Sequence, residues 1–132
     1  MSSATEIDSG KLAMSNSKDD DVRSFARQMI DDHTWLSSEL KAALPSTVKV
    51  PENSPDRAVL ESHCPLKGKQ FDEAYIAKVG LQGRKEALAA FQREAADGQV
   101  PQIREAAAKA LPTIQHHYQM VQDLARKKRV SE

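Results

Sequence analysis

Apolar residues recur along this chain at intervals that alternate between four and three, and they do so in separate long stretches. Residues 19–44 carry the series Val22, Ala26, Met29, His33, Leu36, Leu40 and Ala43. Pro101–Lys128 carries the series Ile103, Ala107, Ala110, Ile114, His117, Val121 and Leu124. This period is typical of amphipathic helices that pack side by side. It predicts a helical bundle.

The breaks between these stretches define the remaining elements. Pro45 ends the first helix, and residues 45–55 contain three prolines and read as a loop. Residues 56–63 form a short helix capped by Asp56, and residues 70–96 form the second long helix. The short connection after Asp97 makes the second and third long helices antiparallel neighbours. We therefore expect an all-α fold, an antiparallel bundle of three long helices plus a short helix.

Two glycines, Gly80 and Gly83, lie inside the second long helix, where each costs up to ~1 kcal/mol relative to alanine. One interpretation is that a neighbouring backbone packs closely against this face. The other is a loosened or broken helix at this point.

The N-terminal segment and the composition indicate the limits of the domain and the kinds of partner it can bind. Residues 1–17 are polar, include Ser and Gly, and are expected to form a disordered N-terminal arm, with a single helical-bundle domain at residues 18–129. Lys plus Arg and Asp plus Glu balance at 19 each, so the net charge offers no basis for binding nucleic acid. No stretch approaches the ~20 apolar residues of a transmembrane segment.

The two histidines in the apolar series are the main candidates for a site. His33 and His117 are both expected to point into the bundle, where neutral imidazoles can bind a divalent transition metal. Asp32 and Asp72 are the candidate oxygen ligands or supporting groups. The alternative is a pair of core histidines, each hydrogen-bonded to a neighbour. His63 is expected to be exposed beside a loop.

No enzyme motif supports a catalytic function. A di-iron bundle needs Glu three residues before a histidine, and the residues at that spacing here are Ile30, Leu60, Thr113 and Ile114. No phosphate-binding loop, nucleophile elbow or HExxH motif occurs. The sequence therefore favours a protein that is not an enzyme and has no cofactor.

Three motifs in order resemble one known family. They are Met29-Ile30-Asp31-Asp32-His33 with Glu39-Leu40, then Phe71-Asp72-x-x-Tyr75-Ile76, then Leu111-Pro112-x-Ile114-x-x-His117. Together they resemble the bacterial domain-of-unknown-function family 4142. The resemblance covers residues 20–126 and implies a ferritin-like bundle, an exported protein whose signal peptide has been removed, and a periplasmic location.

The family also has a histidine in the middle of the second long helix, where this chain has Gly83 followed by Arg84. We expect this difference to leave a gap beside His33 and His117. The leading functional hypothesis is a non-enzymatic periplasmic bundle that binds a protein or envelope partner, with an inhibitor, immunity-like or stress-adaptor role. The alternative is a metal-binding bundle that uses His33 and His117.

Overall fold

The structure, a computed structural model, describes residues 3–43 and 56–130. In that part of the chain all regular elements are helical and none is a strand. The elements are α1 (Ser3–Asn16), α2 (Asp20–Ala43), α3 (Arg57–His63), α4 (Gly68–Ala74), a π-helical segment (Tyr75–Gln82), α5 (Gly83–Asp97) and α6 (Pro101–Lys128). The helix α4, the π-helical segment and α5 follow one another without a break. Together they are called helix 68–97 below. The all-α prediction is confirmed.

Side-chain caps fix the starts of α2 and α3. The amides of Asp21 and Val22 donate to the Asp19 carboxylate at 2.9 and 3.1 Å, which fixes the first turn of α2. The amide of Val59 donates to Asp56 at 3.3 Å, which fixes the start of α3. The predicted helix bounds are confirmed to within two residues where they can be compared. The loop predicted at residues 45–55 lies outside the described residues.

The predicted disordered arm is wrong for residues 3–16, which form α1. The buried positions of this segment have the same four-and-three spacing, but their side chains are small or polar: Thr5, Glu6, Ser9, Gly10, Ala13 and Ser17. A Cβ atom on Gly10 would lie 2.7 Å from Ile30 Cγ1 and 3.1 Å from the Ala26 carbonyl oxygen. Small side chains thus let α1 lie very close to α2, and the packed domain includes residues 3–16.

Helix 68–97 runs parallel to α2. Phe25 contacts Tyr75 edge to face with ring centroids 6.3 Å apart, and further along both helices His33 contacts Arg84. A parallel pair needs a connection that returns along the length of the bundle. The 24 residues between α2 and α4 supply that connection.

The last helix, α6, runs antiparallel to α2. Lys128 pairs with Asp19 at 2.6 Å at one end, and His117 pairs with Asp32 at 2.6 Å further along. Lys127 also pairs with Asp21 at 2.8 Å. These pairs fix the register of the two helices over the C-terminal part of α6, from His117 to Lys128.

The π-helical segment shows both an altered helix and close packing at the internal glycines. Residues Tyr75–Gln82 form the wider π helix, in which each turn takes up more residues than an α turn. Gly80 is buried within it, and a Cβ atom at that position would overlap the Val121 side chain of α6. The helix is locally rewound, and the missing side chain lets α6 pack closely against it.

The apolar core lies between α2, helix 68–97 and α6. Its buried members include Val22, Phe25, Ala26, Met29, Phe71, Tyr75, Ile76, Val79, Val121 and Leu124. A second group of buried side chains is polar or charged: Thr5, Glu6, Ser9, Ser17, His33, His63, Arg84 and His117.

Candidate functional site

His33 and His117 lie side by side in the interior. Each is buried, and the centroids of the two rings are 5.7 Å apart. Their inward orientation follows from the apolar series on α2 and α6, so this part of the sequence interpretation is confirmed. The apolar series did not predict which side chains the two imidazole rings contact.

Asp32 supports His117 from the neighbouring helix. His117 Nε2 donates to Asp32 Oδ2 at 2.6 Å, and Gln28 Nε2 donates to the same oxygen at 2.8 Å. Burial lowers the pKa of His117 more than the Asp32 carboxylate raises it, so the neutral imidazole is favoured. Asp32 therefore sets the tautomer of His117 by accepting the proton on Nε2.

Arg84 supports His33. Its side chain is fully buried, and Nη1 donates to His33 Nε2 at 2.8 Å. A guanidinium has no acceptor, so Nε2 of His33 must be unprotonated. Burial, with the positive charge of Arg84 and then His117 as further causes, lowers the pKa of His33 to about 2.

Glu6 supplies the counter-charge to Arg84. Its carboxylate is buried on α1, and Oε1 lies 2.5 Å from Arg84 Nη2. Burial raises the pKa of Glu6 although the Arg84 charge opposes the rise. The ion pair is closed off from solvent, since each side chain is only 1% exposed.

Several buried polar atoms near this pair have no hydrogen-bond partner among the described residues. They include Glu6 Oε2, Ser9 Oγ, Tyr75 Oη and Arg84 Nε. Burial raises the pKa of Tyr75, and the Glu6 charge adds to the rise. Buried polar atoms of this kind commonly hold ordered water.

The predicted metal ligands are only partly brought together. Asp32, His33 and His117 lie in one place, but Asp72 lies near Ser17, Asp19 and Lys128 at the other end of α2. Burial, followed in smaller part by the Asp19 charge, raises the pKa of Asp72. Across residues 3–43 and 56–130, no group of three or more His, Cys, Asp and Glu side chains has a metal-binding arrangement.

The gap expected beside the histidines is filled. The expectation was wrong because Arg84, next to Gly83, turns its side chain inward and occupies the space. The π-helical segment explains this orientation, since its extra residue per turn rotates the following side chains relative to an ideal α helix. A fixed positive charge next to both imidazoles opposes the binding of a metal cation.

The position predicted for His63 was also wrong. Its side chain is fully buried, with ring centroids 5.7 Å from Phe71 and 6.4 Å from Tyr75. Burial lowers its pKa as well. The residue ends α3, and the ring anchors that short helix on the aromatic core.

Two participants, Glu6 and Arg84, were not selected from the sequence as site residues. Glu6 lies in the stretch expected to be disordered, and Arg84 lies one position after the buried Gly83 of helix 68–97. The available signal for Glu6 was the series Glu6, Gly10, Ala13 and Ser17, which has the bundle spacing in small residues.

The family model described as Domain of unknown function (DUF4142) matches residues 1–124. The chain belongs to the DUF4142 family. The match takes in α1, which places Glu6 inside the DUF4142 domain together with His33, Arg84 and His117. No curated protein and no solved structure matches this DUF4142 chain. None of its described helices is both long enough and apolar enough to cross a membrane.

Proposed function

We propose that this DUF4142 protein is a non-enzymatic helical bundle that works in the periplasm by binding a protein or envelope partner. An inhibitor, an immunity-like protein or a stress adaptor would each act in this way. The periplasmic location is inferred from the family resemblance.

The observation that carries the non-enzymatic part is the position of Arg84. It is bonded to His33 and paired with Glu6, while His117 is bonded to Asp32. Each Nε2 atom of the two histidines is thereby engaged, and the charges of Glu6 and Arg84 are compensated inside the protein. Such a cluster orients helices and leaves no polarised group directed at a substrate.

The fold proposal is a ferritin-like arrangement of four helices. The described helices run along α1, back along α2, along helix 68–97 in the same direction as α2, and back along α6. One long crossover between the second and third helices is the connectivity of ferritin-like bundles. The sequence predicted three long helices, and α1 is the fourth helix of this arrangement.

The binding part of the proposal rests on the outer surface of α2. Trp35 is 58% exposed and is the one large hydrophobic side chain exposed among the described residues. Its neighbours on this face, Asp31, Thr34 and Ser38, are polar and exposed. Tryptophan is enriched among the residues that dominate binding energy at protein interfaces.

Site-specific photo-crosslinking in living cells tests this proposal. A benzophenone side chain is placed at Trp35, and the matched control places it at Gln119, an exposed position on α6. We expect a discrete crosslinked partner from position 35 in the periplasmic fraction and none from position 119.

Two results would contradict the proposal. Recovery of the protein in the cytoplasmic fraction of its native host would overturn the location. Identical crosslinking patterns from positions 35 and 119 would remove Trp35 as a binding residue.

A further inference from the structure

The face that α1 turns towards the bundle buries fewer apolar side chains than α2 does. Only Ala13 of α1 is a buried member of the core, and Leu12 and Met14 pack against it partly buried, whereas α2 buries Val22, Phe25, Ala26 and Met29. Hydrophobic stabilisation is proportional to the apolar area removed from water. The docking of α1 therefore draws less on hydrophobic burial than the packing of the other long helices.

The charged contact of α1 with helix 68–97 is the buried ion pair between Glu6 and Arg84. The cost of removing two charges from water offsets much of their attraction, so such a pair adds little net stability. Ser9 Oγ and Glu6 Oε2 have no hydrogen-bond partner among the described residues, so neither atom adds a direct hydrogen bond to the docked state.

The connection between α1 and α2 leaves the N-terminal cap of α2 independent of α1. Residues 17–19 are not helical, and Asp19 caps α2 through the amides of Asp21 and Val22. This cap does not involve α1, so α2 keeps its first turn when α1 leaves.

Hydrogen bonds also join α1 to the α3 region. The Asp56 amide donates to Thr5 Oγ1 at 2.8 Å, and Asn16 Nδ2 donates to the Cys64 carbonyl at 3.0 Å.

We propose that α1 is a separable unit of the fold, which swings out as one piece about residues 17–19 while α2, helix 68–97 and α6 stay packed. Opening withdraws the Glu6 carboxylate and uncovers the Arg84 guanidinium, which is otherwise fully buried. The inference concerns a local opening equilibrium. It does not depend on the proposed partner binding.

Hydrogen exchange of the full chain, followed by mass spectrometry of proteolytic fragments, tests the inference. At neutral pH and below denaturing conditions, amides of residues 5–16 are expected to exchange at least tenfold faster, after correction for intrinsic rates, than amides at the centres of α2 and α6. Equal protection in α1 and α6 would overturn the inference, because it would mean that α1 opens only when the whole domain unfolds.

Two substitutions on α1 are expected to change its hydrogen exchange in opposite directions. Ser9→Ala removes the buried hydroxyl and is expected to slow exchange in α1 several-fold, whereas Ser24→Ala, at an exposed position of α2, changes α1 little. Glu6→Gln removes the charge that faces Arg84 and is expected to speed exchange in α1 at least tenfold, with exposed Glu105→Gln as its control. Equal acceleration of all helices by Glu6→Gln would contradict a separable α1.

Discussion

Arg84 Nη1 and His33 Nε2 are joined by a 2.8 Å hydrogen bond in the interior, and this bond requires a neutral imidazole. Arginine can only donate, so protonation of Nε2 would remove the acceptor and place two cations in contact. The cluster therefore depends on pH through a residue that titrates near neutrality in the unfolded chain.

The first prediction concerns stability in acid. The pKa of His33 falls from 6.5 in the unfolded chain to about 2 in the folded protein. Since the folded pKa lies below the unfolded one, its contribution is complete above pH 6.5 and is lost as the pH falls towards the folded value. At pH 5 the loss from His33 is about 2 kcal/mol. His117 and His63 act in the same direction, and Glu6, with its raised pKa, acts in the opposite one.

Urea unfolding at pH 7.5 and pH 5 measures this effect, with His33→Gln as the comparison. Glutamine accepts a hydrogen bond from Arg84 but does not titrate, so the variant should lose less stability between the two pH values. The contributions of Glu6, His63 and His117 cancel in the difference between the two proteins. An equal loss in both would remove His33 as a cause.

The second prediction concerns the ion pair. Arg84→Met leaves the buried Glu6 without a partner, and Glu6→Leu leaves Arg84 without one, so each change is expected to cost about 3–5 kcal/mol of unfolding free energy. The double variant removes both charges and should cost clearly less than the sum. A double-mutant cycle by urea unfolding checks this, and strict additivity would show that the two side chains do not interact.

The third prediction concerns metal. Because Arg84 places a positive charge beside the histidines, the unaltered protein is expected to show no thermal shift with Zn²⁺, Cu²⁺ or Ni²⁺. Arg84→Ala removes that charge from beside His33 and His117, so a metal-dependent shift is expected to appear. Adding His33→Ala to Arg84→Ala should abolish it. Near-stoichiometric metal in the unaltered protein, lost in His33→Ala, would instead establish the metal-binding alternative.

The fourth prediction concerns the close approach at Gly80. Gly80→Ala improves helix propensity by up to ~1 kcal/mol, but its Cβ would overlap Val121. Overpacking of this kind costs about 1–3 kcal/mol, so a net loss of stability is expected. In a protein that already carries Val121→Ala, the further change Gly80→Ala should cost less stability than it does in the unaltered protein, because the overlapping side chain is smaller. A stabilising Gly80→Ala would show that α6 can shift freely away from this position.

The long helices and the inward histidines were accessible from the sequence because both depend on local periodicity. A series such as Met29, His33 and Leu36 orients His33 whichever helix faces it. The prediction failed where the pattern was unusual. Asp72, near the start of the second long helix, was grouped with the histidines because a carboxylate can serve as an oxygen ligand. The helix α1 was missed because Gly10 and Ser9 weaken the apolar signal that marks a packed helix.

The sequence by itself determined the all-helical class, the ends of the helices and the burial of His33 and His117, since capping and amphipathic period act within a few residues of chain. Only the tertiary structure decided that Arg84 lies between Glu6 and His33. The π-helical segment rotates Arg84 inward, and α1 brings a carboxylate from 78 positions earlier in the chain to meet it. A buried guanidinium is tolerated only where such a partner is present, and no local pattern in the sequence specifies which distant residue that partner will be.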